Sequence, residues 1–419
     1  MNSRSKTVWL AAALLAGTAG TAFADPVTIT IESWRGDDAA IWTDKIIPAF
    51  EAKNPDIHVV FQPTAPTEYS AAMGARLEGG TAGDIITCSP FDAALDFYNR
   101  GYLASLNDLP GMENFSDTAK GAWSTDDGST TYCVPVAAVI HGFIYNKDAF
   151  DQLGLTPPKT EDEFFAALDK IKADGRYVPL AIGTAETWVP SALGYLNFGP
   201  NYWHGEEGRL ALIKGTQKLT DEDWVAPFRT LAKWKPYLAP GFEAQTYADS
   251  QNLFTLGKAA IYPAGSWEIT GFNANADFKL GAFPPPVPHD GDQCYITDHT
   301  DMGMGMNAKS ANPEAARTFL SWVASAEFAS LYSNALPGFF SLNKQPVELT
   351  DPLAAEFASW RQNCQSTIRA SYAILSRGTP NLDNEMSETS IQVLKGDMTP
   401  EDAGKRLQDG LDGWYKPAM

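Results

Sequence analysis

Apolar and polar residues alternate in the stretch VTITIES at 27–33, and this period of two predicts a β-strand. A helical period follows it and places four apolar residues on one face: Trp42, Ile46, Ala49 and Phe50. The stretch NPDIHVVF then suits a turn and a second strand, residues 67–78 suit a helix, and residues 84–88 suit a buried strand. Strands that alternate with helices predict a parallel sheet covered by helices.

The same alternation returns in the second part of the chain. A long, nearly uncharged strand, YCVPVAAVIHGFIYN, starts at residue 132, and another, VPLAIG, spans 178–183. Between them, Thr160 and Glu163 predict a capping box at the start of a helix. Asn312 and Pro313 suit the N-cap and the first position of a further helix. We therefore expect two similar α/β lobes in one chain.

The N-terminus has the pattern of a cleaved signal peptide. Arg4 and Lys6 precede a short apolar run, and Ala22-Phe23-Ala24 gives the small residues that signal peptidase reads. Residues 1–24 are therefore predicted to be removed, and no cysteine follows them to carry a lipid anchor. No other run approaches the roughly 18 apolar residues that a membrane-spanning helix needs. We expect a soluble periplasmic protein without direct membrane anchoring.

Composition narrows the classes of partner. The full chain has 31 basic and 51 acidic residues; without the two basic residues of the leader, 29 basic residues face the same 51 acidic ones, a net charge of −22. Nucleic acids and anionic membrane surfaces are bound by basic patches, so neither is an expected partner.

The sequence has no recognised catalytic or metal-binding motif, and we expect no cofactor and no metal. Its histidines are scattered, and the nucleophile-elbow and phosphate-loop patterns are absent. Four cysteines, far from the C-x-x-C spacing, allow up to two disulfides in three connectivities, or free buried thiols: Cys88, Cys133, Cys294 and Cys364. A pair of carboxylates drawn from distant segments, as in an exported glycoside hydrolase, stays open as an alternative.

Aromatic residues favour a binding function. Trp34, Trp188 and Trp267 each follow a predicted strand, and ligands of open α/β sheets gather beyond the carboxyl ends of strands. An aromatic face stacks on the apolar face of a pyranose, while carboxylates accept hydrogen bonds from its hydroxyls. Three aspartates occupy comparable turns and are candidate acceptors: Asp37, Asp92 and Asp301. Each tryptophan has the alternative of a core position, but three in one topological place predict a carbohydrate site.

Four stretches carry a family resemblance: FEAKNPDIHVVF, AGDIITCSPFDAALDFYNRGYLASL, IYNKDAFDQLGLTPPKTEDEF and LFTLGKAAIYPAGSWEI. In this order they resemble the family 1 extracellular solute-binding proteins of carbohydrate ABC importers, which include the maltose- and glycerol-3-phosphate-binding proteins. The resemblance implies a type II two-lobed periplasmic binding protein fold, in which mostly parallel sheets flanked by helices are joined by a multi-strand hinge. Lobe one would comprise 25–135 plus 299–340, and lobe two 136–298 plus 345–419.

The resemblance implies a monomeric binding protein, not an enzyme. It would capture a sugar or small glycoside of mono- to disaccharide size, with or without an anionic substituent, and deliver it to an ABC permease through a transient contact. A metal or iron carrier of the same fold is a further alternative.

The resemblance also implies a set of ligand-binding residues. Trp267 would stack on the sugar ring, with small neighbours before it that let the ligand approach the backbone. His141 has the alternative of a packed hinge residue, and Arg369 is either a sugar or anion clamp or a surface salt bridge. The full predicted set is Trp34, Arg35, Asp37, Thr67, Ser89, Asp92, His141, Trp188, Gly265, Ser266, Trp267, Asp301, Gly338, Phe339 and Arg369.

Overall fold

Ten strands form one mixed sheet in the part of the chain that the computed structural model describes, residues 26–417. The predicted leader, 1–24, lies outside these residues. The strands are β1 Val27–Ser33, β2 Ile57–Pro63, β3 Ile85–Cys88, β4 Cys133–Asn146, β5 Val178–Leu180, β6 Ala259–Gly265, β7 Leu280–Phe283, β8 Tyr295–Met306, β9 Phe340–Ser341 and β10 Gln365–Thr367.

Helices cover the sheet. In the first third of the chain they span Ala39–Ile41, Ile47–Glu51, Pro66–Gly79, Asp92–Asn99 and Asp117–Gly121. In the middle they span Lys147–Leu153, Glu161–Asp174, Trp188–Pro190, Leu196–Phe198, Pro200–Trp203, Glu206–Ile213, Glu222–Ala232, Tyr247–Thr255 and Ile269–Asn275. Towards the C-terminus they span Pro313–Val323, Ala326–Ala335, Pro352–Ser359, Leu382–Lys395 and Pro400–Asp412. Two π-helical turns, Trp42–Ile46 and Ser191–Tyr195, continue neighbouring helices. Single 3₁₀ turns span Met112–Asn114, Lys235–Tyr237, Phe242–Ala244, Ser266–Glu268 and Trp360–Gln362.

Along the main path of the sheet, the pairing is parallel at the two ends and antiparallel in the middle, and β10 adds a parallel pair to the central strand β8. The main path runs in the order β2-β1-β3-β8-β4-β6-β5, with β7 and β9 paired to β4 and β10 paired to β8. β1 is parallel to β2 and β3, and β5 is parallel to β6. The central strands β8 and β4 are antiparallel to each other and to their neighbours β3 and β6. The predicted strand and helix alternation at both ends is confirmed.

Strand β4 connects two hydrophobic cores. Its 14 residues are all buried, as expected of a strand covered on both faces. One core gathers apolar side chains from Ile29 to Val139 and from Met302 to Phe339; the other gathers them from Ile140 to Phe283 and from Phe340 to Leu411. β8 and β9 lie beside β4 where the two cores meet. These cores support the predicted division into two lobes, which stays a proposal.

Two predicted helix starts differ in detail from expectation. Thr160 accepts a hydrogen bond from the Glu163 backbone N–H, but the Glu163 carboxylate accepts from the backbone N–H of Lys159, so the reciprocal capping box is not formed. Asn312 does precede the helix that begins at Pro313, yet its amide donates to the carbonyl of Thr28 at 3.1 Å instead of capping the helix. A neighbouring local bond replaces the expected one at Glu163, and a tertiary bond replaces it at Asn312.

One disulfide joins Cys294 and Cys364, at the entries to the paired strands β8 and β10. Cys88 and Cys133 are buried free thiols. Between residues 26 and 417, no helix has the length and apolar character required to cross a membrane. Within the same range, no group of three or more His, Cys, Asp or Glu side chains is arranged to hold a metal ion.

Candidate functional site

Trp267 lies in the 3₁₀ turn directly after β6, where its indole folds back over the strand. A Cβ atom on Gly265 would lie only 2.0 Å from a carbon of the indole ring, so the absent side chain leaves the space that the ring occupies. The indole is half-buried and packs against both cores. The lack of a side chain at Gly265 therefore allows the Trp267 ring to lie in this position.

Trp267 is held by a hydrogen-bonded relay. Its Nε1 donates to the Tyr247 hydroxyl at 2.9 Å, and that hydroxyl donates to the Glu268 carboxylate. Gln251 donates to the other Glu268 oxygen at 2.7 Å. Burial raises the pKa of Glu268 to about 7, against the lowering effect of these two hydrogen bonds. The Trp188 ring packs edge-on against Tyr247 at 4.9 Å, so both predicted tryptophans contact the same tyrosine.

A buried histidine pair lies behind Trp267. His141, on β4, packs edge-on against the indole at 5.2 Å, and its Nε2 is 3.1 Å from Nε2 of His299 on β8. The two Nδ1 atoms face the carbonyls of Ala192 and Thr300, and neither ring is more than 1% exposed. Burial, followed by the positive charge of Arg369, lowers the pKa of both histidines. His141 is therefore a packed residue, which agrees with the alternative stated for it.

Ser266 and Gly338 connect the strands and turns where the cores meet. The Ser266 hydroxyl accepts from the Ile140 backbone N–H at 3.0 Å and donates to the Gly338 carbonyl at 2.5 Å, and the side chain is fully buried. Gly338 has a left-handed φ of 99°, and a Cβ there would lie 1.8 Å from the Ser266 carbonyl oxygen. The Ser266 hydroxyl and the Gly338 carbonyl are thus engaged within the protein, and the ligand contacts predicted for these two residues stay a prediction.

A cavity of about 770 Å³ contains three of the predicted residues, Ser89, Asp92 and Arg369. The Asp92 Oδ2 and Arg369 Nε atoms are buried and have no hydrogen-bond partner among residues 26–417. Tyr372 also lines the cavity, and its ring packs against His299 at 5.4 Å. Side chains that carry a buried acceptor and a buried donor therefore line the cavity beside an aromatic ring, a combination suited to hydroxyl groups.

Arg35 and Asp301 are two further charged residues of the predicted set, and neither lines the 770 Å³ cavity. Arg35 donates to Asp38, and its guanidinium lies 4.8 Å from the centre of the Phe339 ring. Burial raises the pKa of the Asp301 carboxyl, while Arg369 and Arg35 act in the opposite direction. The guanidinium groups of two distant segments thus influence one carboxylate.

The remaining predicted residues have different surroundings. Asp37 is exposed, and Trp34 packs edge-on against Tyr69 at 5.4 Å. Thr67 lies in the first turn of the helix Pro66–Gly79, as predicted, and its side chain is outside the described part of the structure. The structure gives no direct contact between the Trp34 and Trp267 rings.

Sequence reasoning missed five residues of this region: Tyr247, Glu268, His299, Tyr372 and Arg377. Glu268 follows Trp267 directly, and Tyr372 and Arg377 follow Arg369 in the stretch IRASYAILSR. These aromatic and charged neighbours of predicted residues were a usable signal. Tyr247 and His299 gave none, because their partners lie 20 and 158 residues away.

Comparisons with known proteins identify the family and the fold of this chain. The family model of bacterial extracellular solute-binding proteins matches residues 34–329. The multiple sugar-binding protein of Streptococcus mutans is 25% identical over 299 residues, 69% of each chain. The melibiose/raffinose/stachyose-binding protein of Bacillus subtilis is 25% identical over 63% of this chain and 62% of its own length.

Solved structures give the fold. The bacterial solute receptor AcbH, whose structure is described with an exclusive preference for β-D-galactopyranose, superposes with a TM-score of 0.81 at 19% identity, over 93% of this chain and 99% of its own. The complex of the solute-binding protein RafE with raffinose has a TM-score of 0.77 at 21% identity, over 92% and 99%. These likenesses confirm the predicted α/β type II binding-protein fold.

Proposed function

Since this chain belongs to the family of bacterial extracellular solute-binding proteins, we propose that it captures a sugar or small glycoside and delivers it to an ABC permease. The ligand is of mono- to disaccharide size. The protein acts after export, as a monomer in the periplasm, and breaks no bond in its ligand. The leader at 1–24 directs it there.

The observation that carries the proposal is a pair of buried atoms without a hydrogen-bond partner among residues 26–417, Asp92 Oδ2 and Arg369 Nε, on side chains that line the 770 Å³ cavity. Asp92 and Arg369 come from segments far apart in the chain, and their buried atoms Oδ2 and Nε offer an acceptor and a donor. A sugar hydroxyl both donates and accepts, so one ligand satisfies both. Leaving such groups buried without a partner costs about 1–3 kcal/mol each, which binding would recover.

A series of ring contacts connects this cavity with the predicted stacking residue. It runs from Trp267 through His141 and His299 to Tyr372, with centroid distances of 5.2, 5.2 and 5.4 Å. Rings in contact transmit small displacements because packed interiors are dense. A sugar in the cavity would contact Asp92 from the first half of the chain and Arg369 from the second, and would stabilise their closed arrangement by differential binding.

Thermal unfolding of the chain from residue 25 onward tests the proposal. The panel holds neutral mono- and disaccharides, glycosides, sugar phosphates and sugar sulfonates. A ligand at about 100 times its Kd adds roughly 2.7 kcal/mol, so we expect one member to raise the Tm by a few degrees. Chromatography of that sample should return the sugar intact and in full amount.

Two results would contradict the proposal. Silence across the panel, with a Tm that falls on addition of a chelator, would favour a metal or iron carrier. Loss of the hit sugar during incubation would favour the glycoside hydrolase alternative.

A further inference from the structure

Three residues with unusual backbone conformations lie beside the 770 Å³ cavity: Phe91 and Ala373 line it, and Ile374 follows Ala373 directly. Outside glycine, four described residues have a left-handed φ, and three of them are Phe91 at 58°, Ala373 at 50° and Ile374 at 51°. This region is unfavourable for side chains with a Cβ, most of all for a β-branched isoleucine. Such residues persist where the surrounding structure holds them, often at ligand clamps.

The three residues are in contact through their neighbours. The Phe91 ring packs against Tyr372 at 5.5 Å, and the Ile374 backbone N–H donates to Asp92 Oδ1 at 3.3 Å. The strained positions thus belong to two segments that hold each other. We call residues 372–377 the bridge segment.

Arg377 is the last residue of the bridge segment and binds the segment to two aspartates. Its Nε donates to Asp92 Oδ1 at 2.6 Å, and its two terminal nitrogens donate to the two Asp126 oxygens at 2.8 Å each. Asp92 begins the helix Asp92–Asn99, and Asp126 lies in the turn between Ser124 and Thr131. The Arg377 guanidinium therefore connects the bridge segment to a helix and to a turn, both in the first half of the chain.

The bridge segment separates two cavities. A second cavity of about 410 Å³ adjoins the 770 Å³ cavity at this segment, and its lining includes the polar residues Lys120, Thr125 and Thr131. The residues that line both cavities are Phe91, Leu95, Asp126, Ala373 and Arg377. Four of these five belong to the strained and ion-paired contacts, so the contacts form the partition.

We propose that Arg377 is a specificity-determining residue: its bonds to Asp92 and Asp126 close one end of the binding cavity and limit the length of the sugar. With the partition in place, the larger cavity holds a mono- or disaccharide. With the partition open, the two cavities join and admit further sugar units. This inference rests on the proposed function and assigns its ligand a length limit.

Titration calorimetry with galactose, melibiose, raffinose and stachyose tests the length limit, since successive members add one sugar unit. The wild type should bind the two short sugars at least tenfold tighter than the two long ones. Arg377→Ala should reduce this ratio at least tenfold. Asp126→Asn removes the charge of the carboxylate that pairs with Arg377 and should shift the affinity ratio in the same direction. This second variant keeps the test informative if Arg377→Ala folds poorly.

The matched control is Arg229→Ala. Arg229 also binds two carboxylates, Glu222 and Glu401, and is about as exposed as Arg377, but it lines neither cavity. Its ratio should equal that of the wild type.

An unchanged ratio in Arg377→Ala and Asp126→Asn overturns the length limit. Binding of none of the four sugars by any variant also overturns it, whereas the proposed function falls only if the wider panel fails.

Discussion

At the scale of single residues, the position of Trp267 depends on groups that never need to touch the ligand. Tyr247 accepts from the indole and donates to Glu268, and Glu268 is buried among these partners. A fixed aromatic face loses less freedom when a sugar stacks on it. The relay would therefore position Trp267 for the proposed stacking on a sugar.

Tyr247→Phe removes the central hydroxyl of this relay. We expect sugar affinity to fall about fivefold to tenfold, since a neutral hydrogen bond contributes about 0.5–1.5 kcal/mol. Titration calorimetry with the panel hit measures the effect. Tyr415→Phe is the control: its hydroxyl donates to the Ile213 carbonyl and has no contact with the relay. Equal affinities for both variants would show that the relay does not position the indole.

Glu268 makes stability depend on pH. Its pKa rises from the usual 4.5 to about 7 because burial disfavours the charged carboxylate. In this range the folded state binds more protons than the unfolded state, so the free energy of unfolding is highest below pH 4.5 and falls as the pH rises through 7. The full change for one such group is roughly 3 kcal/mol.

Urea unfolding of the wild type and Glu268→Gln at pH 5 and pH 8 measures this term. The amide keeps the shape but does not titrate, so the difference between the two proteins isolates Glu268. We expect the wild type to lose about 2–3 kcal/mol relative to Glu268→Gln between these pH values. Equal losses of stability in both proteins would contradict a raised pKa of the Glu268 carboxyl.

At the scale of elements, the end of β6 and the turn after it form one unit. Gly265 has an ordinary extended backbone, so alanine fits its φ and ψ, yet a Cβ would occupy the space of the indole ring. Glycine is therefore required at this position because a side chain would clash with the indole, not because of the backbone conformation. This distinction gives a clean substitution.

Gly265→Ala should displace the Trp267 ring and weaken sugar affinity at least tenfold. Crowding of this kind costs about 1–3 kcal/mol. Gly271→Ala is the matched control, because a Cβ at that helical position meets no atom within 4 Å. Calorimetric affinities and Tm values of both variants check the prediction; unchanged affinity in Gly265→Ala would mean that the indole position is irrelevant to binding.

Elements were predictable where periodicity is local. The alternation in VTITIES gives β1 with its observed bounds, and the helix predicted at 67–78 spans Pro66–Gly79. Contacts between distant segments were not predictable. The engaged hydroxyl of Ser266, the His141–His299 pair and the Arg377 bonds join residues 72 to 285 positions apart, and no local pattern encodes them. The sequence therefore predicted a region for the site, which stays a proposal, and gave no signal for these supporting contacts.

At the scale of the whole molecule, two cores share the strands β4, β8 and β9, and the candidate site lies where they meet. Trp267 packs against both cores. The bridge segment, which belongs to the second half of the chain, contacts Asp92 and Asp126 of the first half. A ligand at the proposed site would contact surfaces from both halves of the chain. Its affinity then depends on their relative arrangement, as a capture-and-release protein requires.

The measurement that tests the account most directly is titration calorimetry of the panel hit into the wild type and Trp267→Ala. The wild type should bind one sugar per chain, and Trp267→Ala should bind it at least tenfold more weakly, a loss of about 1.4 kcal/mol, with the Gly271→Ala control unchanged. Full affinity in Trp267→Ala would contradict a sugar site at the meeting of the two cores.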